Sequence, residues 1–531
     1  VNIRRQKHWG WGLEDQPPGS NNLDATAAAL ASHLGLAARE LEQPVPLERV
    51  RLRAPRVAAP GELAAIVDTD VHARASHALG KSYADVVNGF RGRFEEPPDC
   101  VAHPRDEGDL ERLLEWCSAE RVAAIPYGGG TSVVGGVSPR IDAVYNGAVS
   151  IDLRALDRVL ELDPVSRAAR IQSGAAGPVL EEQLGEHSLT LRHFPQSFEF
   201  STLGGWIATR AAGHFATVRT HIEDFLEAVR AITPAGVWAS RRLPGSGAGV
   251  SPDRMLAGSE GTLGIITEAW VRVQPRPAHR RSAGVRFETF AAGAECVREL
   301  SQSGLEPANC RLIDPAEARL SMAGDGTDAL LVLGFESTDH EVAEAMRRAL
   351  EICAAHGGRT SGERAAAQSD AVGTWRQAFL AAPYMRDVFV AMGVLSETFE
   401  TAITWDRFPA FHARVAGAAS DAVREACGEG GLVTTRFTHV YPDGPAVYFT
   451  VIAPATRGEE VAQWAQIKRA ASDAVLAEGG TITHHHAVGR DHRPWYEHQR
   501  PEPFAEALRA AKAALDPAGV MNPGVLFEPL R

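Results

Sequence analysis

Apolar positions recur at helical spacing from Asp106 to Ala119, where Leu110, Leu113, Leu114 and Cys117 share one face; this predicts an amphipathic helix. Val122 to Pro126 is then a short apolar run that reads as a buried strand opening into a glycine loop. Short strand patterns follow at 148–152, 157–163 and 168–173. Pro178 to Glu186 reads as a helix with proline near its start, where a missing N–H costs little. Another helix is expected over Leu203 to Ala211. Residues 1–94 read as an irregular, helix-containing leader that Trp9 and Trp11 anchor against a larger body. Residues 95–278 form a mixed α and β unit, with Gln274-Pro-Arg-Pro277 as its boundary.

Beyond that boundary the pattern changes. Strand-like pieces (Ser282 to Phe287, Ala329 to Phe335, Val447 to Ile452) alternate with longer helical ones (Ala291 to Gly304, His340 to His356, Glu459 to Glu478). Residues 279–485 therefore read as a second α+β domain. Arg359 to Ala371 is polar and rich in small residues, which predicts a mobile loop. Residues 486–531 hold one more helix, Pro503 to Leu515, and a turn. No repeat of 20–50 residues is present, which excludes solenoids and propellers.

Composition narrows the function. The chain has 531 residues, 44% hydrophobic and 23% charged, as a folded globular protein needs. Its net charge of −13 disfavours nucleic-acid partners and leaves only a local basic pocket for anions. Of 54 basic residues four are lysines, so a single arginine carries little information. The six cysteines form no CxxC pair and no zinc spacing. Arg4-Arg5 is followed by Gln-Lys-His-Trp rather than an apolar stretch, so a cytoplasmic location is expected.

The strongest local feature is Tyr127-Gly-Gly-Gly-Thr-Ser-Val-Val-Gly-Gly136. Consecutive glycines after a strand let successive N–H groups face one concavity, and such a nest binds phosphate or diphosphate. Thr131 and Ser132 add hydroxyls, but the spacing is not that of a Rossmann fingerprint. Gly258-Ser-Glu-Gly-Thr-Leu-Gly264 is a second glycine cluster that runs into the strand-like Ile265-Ile-Thr-Glu-Ala269. Between them, Gln196 to Trp206 leads small and hydroxyl residues into a helix N-terminus, where anions are stabilised. Gly80-Lys81-Ser82 resembles the end of a P-loop, but its first glycine would fall at Ala75. His484-His485-His486 has three readings: a polar surface loop, a metal site in which His484 and His486 converge, or an acid/base and anion-binding loop.

Four segments together resemble the flavoenzymes of vanillyl-alcohol oxidase type: PYGGGTSVVGG (126–136), STLGGW (201–206), GSEGTLGIITE (258–268) and DPAGVMNPG (516–524). Within that family the chain is most similar to the alkyldihydroxyacetonephosphate synthase group, through LGKSYADVVNGFRG (79–92), STLGGWIATRAAG (201–213), THIEDF (220–225), LSETFETAITWDR (395–407) and THHHAVGRDHRPW (483–495). The resemblance implies an α+β fold: a two-subdomain FAD-binding domain under an α+β cap, with residues 486–531 returning to the FAD-binding domain. It implies FAD contacts at Pro126, Tyr127, Gly128, Gly129, Gly130, Thr131 and Ser132, and at Gln196, Ser197, Glu199, Ser201 and Thr202. Further contacts fall at Thr209, Arg210, Ala211 and Ala212, and at Glu260, Gly261, Thr262, Gly264, Ile265 and Ile266. The glycine loop holds no histidine, so the FAD is expected to be non-covalent.

The implied reaction exchanges the acyl group of acyl-dihydroxyacetone phosphate for a fatty alcohol, with no net redox change. Tyr448, His484, His485 and His486 would move protons, and three imidazoles with arginine would favour the tyrosinate. Arg386, and less directly Arg311, would hold the phosphate. Tyr448 lies in an apolar strand-like run, where core packing is the other reading. The alternative function on the same scaffold is an FAD-linked oxidase or dehydrogenase of a 2-hydroxy acid or small alcohol. The expected partners are a small-molecule or lipid substrate, a second copy in a homodimer and a peripheral membrane contact. No metal is expected.

Overall fold

The computed structural model describes residues 5–15, 23–35, 40–360, 364–365 and 371–529. Helix Glu107–Glu120 starts where the Asp106 carboxylate accepts the Asp109 N–H at 2.9 Å, and stops where Arg121 turns left-handed at φ 51°. Its buried leucines cover a sheet ordered Val67–Asp68, Cys100–Ala102, Gly147–Asp152, Val122–Tyr127. The last three strands are parallel and covered on both sides, so they are almost wholly apolar. The chain's end returns to this sheet: Ala124 N–H donates to Val520 O, and Asn522 N–H to Ala124 O.

The second sheet is antiparallel, ordered Val159–Asp163, Ala168–Gln172, Ile265–Arg272, Leu226–Thr233, Gly236–Ala239. Helices Gly177–Gly185 and Leu203–Thr209 lie against its core, where Trp206 is the largest buried side chain. Residues 258–266 stitch the two sheets: Ile265 packs into the first core and Ile266 into the second.

The third sheet is antiparallel, ordered Arg359–Thr360, His279–Phe287, Ala329–Ser337, Asn309–Ile313, Leu432–Val440, Pro445–Pro454, Val394–Ala402. Helices Phe290–Gln302, Ala343–Ala355, Phe408–Cys427 and Glu460–Ala477 cover one face, packing on Val447, Phe449 and Val451. The alternate residues Tyr448, Thr450 and Ile452 face a cavity. Tyr448 therefore lies on the cavity side of the sheet, not in the helix-covered core. Deleting a ring such as Phe449 would cost about 3–5 kcal/mol.

Strands Val394–Ala402 and Leu432–Val440 and helices Ala371–Met392 and Phe408–Cys427 had no counterpart in the hydrophobic pattern. Glu397, bonded by Trp464, and Thr435, bonded by His412, put polar groups on the helix-covered face and interrupt the alternation of both strands, and Pro383 interrupts the first of these helices. Most of 359–371, expected as a mobile loop, lies outside the described residues; Arg359–Thr360 and Arg364–Ala365 pair with His279–Phe287. Gly80-Lys81-Ser82 is a helix start: Ser82 and Asp85 form a capping box for Tyr83–Phe90. Among the described residues no helix is long and apolar enough to cross a membrane.

Candidate functional site

A cavity of about 780 Å³ runs between the glycine loop and the polar face of the third sheet. One wall is Gly128 to Val133 with Gln196, Ser197, Ser201 and Thr202; the opposite wall carries Arg311, Arg386, Ser396, Thr398, Arg436, Tyr448, His485 and His486. Part of the lining is apolar: Leu30, Leu320, Met322, Met385, Phe389 and Ile452.

The glycine loop is pressed against residues 200–202. A Cβ on Gly128 would stand 2.3 Å from Thr202 Oγ1, and one on Gly129 would stand 1.9 Å from the Phe200 carbonyl oxygen. Gly130 is left-handed at φ 67° and lies over the Tyr127 hydroxyl. Tyr127 packs at a tilt of 44° against His77 with centroids 4.2 Å apart and donates to Ser76 O. Only backbone fits in this crease, and it lies beside the N-terminus of helix Leu203–Thr209.

The histidine loop is wound around a buried carboxylate. Glu400, on strand Val394–Ala402, is 1% exposed. It accepts the Thr483 hydroxyl at 2.6 Å, the His486 N–H at 2.8 Å, the His485 N–H at 3.2 Å and the His484 N–H. Successive N–H groups aimed at one anion bend the chain, and Ala487 follows at φ 73°. Adjacent imidazoles therefore converge: His484 Nδ1 and His485 Nδ1 lie 3.0 Å apart. One nitrogen from each of His439, His484 and His485 lies within 4.8 Å of the others, close enough for one cation. The pairing of His484 with His486 expected for an extended segment is not what forms. His439 reaches this group through a β-bulge at Thr438, which leaves both residues on the cavity wall.

His484 sits behind the wall. Its Nε2 is 2.7 Å from the Tyr441 hydroxyl, and His221 Nε2 donates to its carbonyl at 3.1 Å. Tyr448 faces His485 in a stack with centroids 6.1 Å apart and His486 edge-on at 5.6 Å. The Arg436 guanidinium lies 3.8 Å from the Tyr448 ring centroid and pairs with Glu317 at 2.5 Å.

Burial dominates the protonation of this group. It holds His439, His484, His485 and His486 below the ordinary histidine range, so they stand neutral near pH 7. Burial would raise the Glu400 carboxyl, but the neighbouring histidines and the Thr483 hydroxyl outweigh it and hold it well below the usual carboxylate range. Burial also raises Tyr448, against the opposing pull of Arg436 and the Thr398 hydroxyl. The expectation that imidazolium charge ionises this tyrosine is corrected: the imidazoles are neutral, the cation is Arg436, and Tyr448 remains a phenol. Burial, followed by Arg436, pushes Arg311 down to about 10.

Of the residues expected at the site, Gly128, Gly129, Gly130, Thr131, Ser132, Gln196, Ser197, Ser201, Thr202, Thr209, Ala211 and Ala212 line the cavity, as do Arg311, Arg386, Tyr448, His485 and His486. Arg386 also donates to Lys81 O at 2.6 Å. His484, Pro126, Tyr127, Glu199, Arg210, Glu260, Gly261, Thr262, Gly264, Ile265 and Ile266 do not line it. The Glu260 carboxylate is taken by the Val488 and Gly489 N–H groups at 2.9 and 2.8 Å. Gly261 is wedged on Pro126, Arg210 pairs with Glu223, and Glu199 accepts from the Tyr384 hydroxyl. Glu400, Arg436, His439 and Tyr441 escaped the sequence reading. Glu400 stood inside a quoted motif, but nothing local tied it to residues over 80 positions away.

Two family models match the chain: "FAD binding domain" over residues 98–240 and "FAD linked oxidases, C-terminal domain" over 276–526. A solved 4-ethylphenol oxidase from Gulosibacter chungangensis shares the fold at TM-score 0.69 and 15% identity, over 96% of this chain and 98% of that one. Fold and cavity thus define an FAD-dependent enzyme of the FAD-linked oxidase, vanillyl-alcohol oxidase type. The alkyldihydroxyacetonephosphate synthase of Trypanosoma brucei brucei is 31% identical over 486 residues, 86% of this chain and 78% of that protein. A solved alkyldihydroxyacetonephosphate synthase superposes at TM-score 0.81 with 25% identity, over 98% of this chain and 97% of that one. The chain belongs to the alkyldihydroxyacetonephosphate synthase family.

Proposed function

We propose that the protein exchanges the acyl group of an acyl-dihydroxyacetone phosphate for a fatty alcohol, the first ether-forming step of an ether lipid. One observation carries this reading: a single cavity is lined by the glycine crease, the Tyr448–His485–His486 wall and a group of apolar side chains suited to an alkyl chain. The crease fits the diphosphate of FAD, because Gly128 to Gly130 present backbone without side chains to the cavity, with Thr131 and Ser132 beside them on its lining. Gly128 to Ser132 and Gln196 to Thr202 would hold the dinucleotide, with no histidine in the loop to tether it covalently. Bound there, FAD supplies an electrophilic and electron-storing ring. The chain's own residues do the rest. His485 and His486, neutral and facing the cavity, accept a proton from the carbon beside the ketone and from the incoming alcohol. The Tyr448 phenol gives a proton to the departing carboxylate and regains one from the alcohol, while the carbon's own proton returns to it once the ether bond has formed. Arg386 and Arg311 place positive charge where the phosphate of the substrate would sit.

Met322, an apolar lining residue 65% exposed, and Leu380, 59% exposed beside the lining residues Phe379 and Ala381, favour a lipid surface there. Homodimerisation and a cytoplasmic location belong to the same proposal; sedimentation and cell fractionation test them. The deciding experiment incubates FAD-loaded protein with acyl-dihydroxyacetone phosphate and a long-chain alcohol. Alkyl-dihydroxyacetone phosphate and free fatty acid are expected in equal amounts. Anaerobic bleaching of the flavin by a 2-hydroxy acid, with no ether product, would replace this reading with the oxidoreductase one.

A further inference from the structure

A lysine is buried behind the histidine loop. Lys468, one of four lysines in the chain, sits on helix Glu460–Ala477 and is 6% exposed. A buried ammonium needs partners, because taking it out of water is costly. Glu397 and His492 supply them: Glu397 Oε1, on strand Val394–Ala402, lies 3.8 Å away, and His492 Nε2 lies 3.0 Å away. The other Glu397 oxygen accepts the Trp464 indole N–H at 2.5 Å, from one turn earlier on the same helix. His492 Nδ1 is 2.9 Å from the Ala487 carbonyl oxygen. A carbonyl only accepts, so Nδ1 carries the hydrogen, and Nε2 offers its lone pair to the Lys468 ammonium. Burial, and then the Lys468 charge, pushes His492 down to about 3, which keeps the ring neutral.

Ala487 is where the loop needs holding. It follows His486, and its φ of 73° is disfavoured for any residue with a Cβ. On one side Glu400 binds the His484, His485 and His486 N–H groups; on the other His492 takes the Ala487 carbonyl. Strand Val394–Ala402 thus supports both ends, through Glu400 directly and through Glu397, Lys468 and His492 in series. The charged and titratable groups that face His486 are Glu400, His485, His492 and Lys468. The carboxylate favours a proton on His486, and the ammonium opposes it.

We propose that Lys468 is a positioning residue for His486: its ammonium, braced on Glu397, fixes the His492 ring that grips the Ala487 carbonyl, and so holds His486 towards the cavity. This deepens the acid/base reading above and rests on it. The test measures acyl exchange by FAD-loaded Lys468→Met, which keeps the length of the side chain and removes its charge. Flavin content and KM should stay level. Turnover should fall about tenfold, the scale of one hydrogen bond to a charged group. The acidic limb of the turnover–pH profile should move up by about one unit, because Glu400 then acts on His486 without the opposing ammonium. A merely structural lysine would lower stability without moving that limb. His492→Asn keeps a donor for the Ala487 carbonyl but loses the contact with Lys468. Combined with Lys468→Met it should cost no more than the worse single change, since both cut one chain of contacts. An unmoved limb, or losses that multiply in the double variant, would overturn the assignment. Wild-type protein gives a check that needs no turnover: imidazole nitrogen NMR should show a histidine, absent in His492→Asn, with its hydrogen on Nδ1. A hydrogen on Nε2 there would overturn the series of contacts. Wild-type protein with the Nδ1 tautomer but no ether product would instead overturn the acyl-exchange reading.

Discussion

Replacing Glu400 by glutamine tests whether one buried carboxylate organises the histidine loop. The carboxylate gathers three backbone N–H groups and the Thr483 hydroxyl, with no water-facing oxygen. Hydrogen bonds to a charged acceptor contribute roughly 1.5–3 kcal/mol each. Glutamine keeps one acceptor oxygen and turns an NH2 towards groups that are themselves donors. Part of the loss is offset because a buried charge disappears, leaving a net cost of roughly 3–5 kcal/mol, the scale for breaking a buried charged network. At about 2–4 °C per kcal/mol for a unit of some 200 residues, the first thermal transition should fall by roughly 6–20 °C. Turnover should drop by ~10²-fold or more as His485 and His486 lose their positions. Flavin content should persist, since Gly128 to Ser132 belong to the opposite wall. The assay is calorimetry alongside acyl-exchange turnover and flavin absorbance. A variant with wild-type melting and wild-type turnover would refute the reasoning, and loss of flavin alone would place Glu400 at the wrong wall.

Tyr448→Phe should keep FAD and melting behaviour but lower turnover by ~10²-fold, the usual worth of a positioned proton donor; equal turnover would return Tyr448 to a packing role. Gly129→Ala should abolish FAD loading, because its Cβ meets the Phe200 backbone carbonyl rather than the open cavity; a full flavin complement, read from absorbance per chain, would contradict the crease. His193 should contribute stability that acid removes. Burial pushes it down to about 3, so it stays neutral in the fold and protonates in the unfolded chain below about 6.5. Its contribution is complete above that value and is lost as pH falls towards 3, about 2 kcal/mol by pH 5, while the raised carboxyls of Asp85, Glu260, Asp314 and Asp387 act in the opposite sense. Denaturant unfolding of wild type and His193→Leu at pH 7 and pH 5 separates the two: wild type should lose about 2 kcal/mol relative to the variant, and an unchanged difference would refute the assignment.

The glycine crease was legible in the sequence because its requirement is local. Three glycines after a strand are needed wherever backbone must pass where no Cβ fits, and Gly128 to Gly130 meet that need within three residues. Tyr448, Thr450 and Ile452 were half legible: their alternation with Val447, Phe449 and Val451 shows two faces but not which face meets solvent, core or cavity. The second glycine cluster lies off the cavity for a complementary reason. Glycines at 258–264 also mark close approach, but Gly258, Gly261 and Gly264 pack on Arg210, Pro126 and Thr233, while the Glu260 carboxylate between them holds the Val488–Gly489 turn.

Several features that depend on neighbours along the chain could be read from residue order: the capped helix at 107–120, the glycine crease, the clustering of three histidines. Pairing between distant strands decided the chemistry. Antiparallel register sets Glu400 opposite Tyr448, the bulge at Thr438 brings His439 into line, and Arg436 arrives over the tyrosine ring from the adjacent strand. Protonation followed from the same packing, because a histidine's charge is set by the water and charges removed around it. No window of sequence contains those terms; they exist only once the sheet has closed over the cavity.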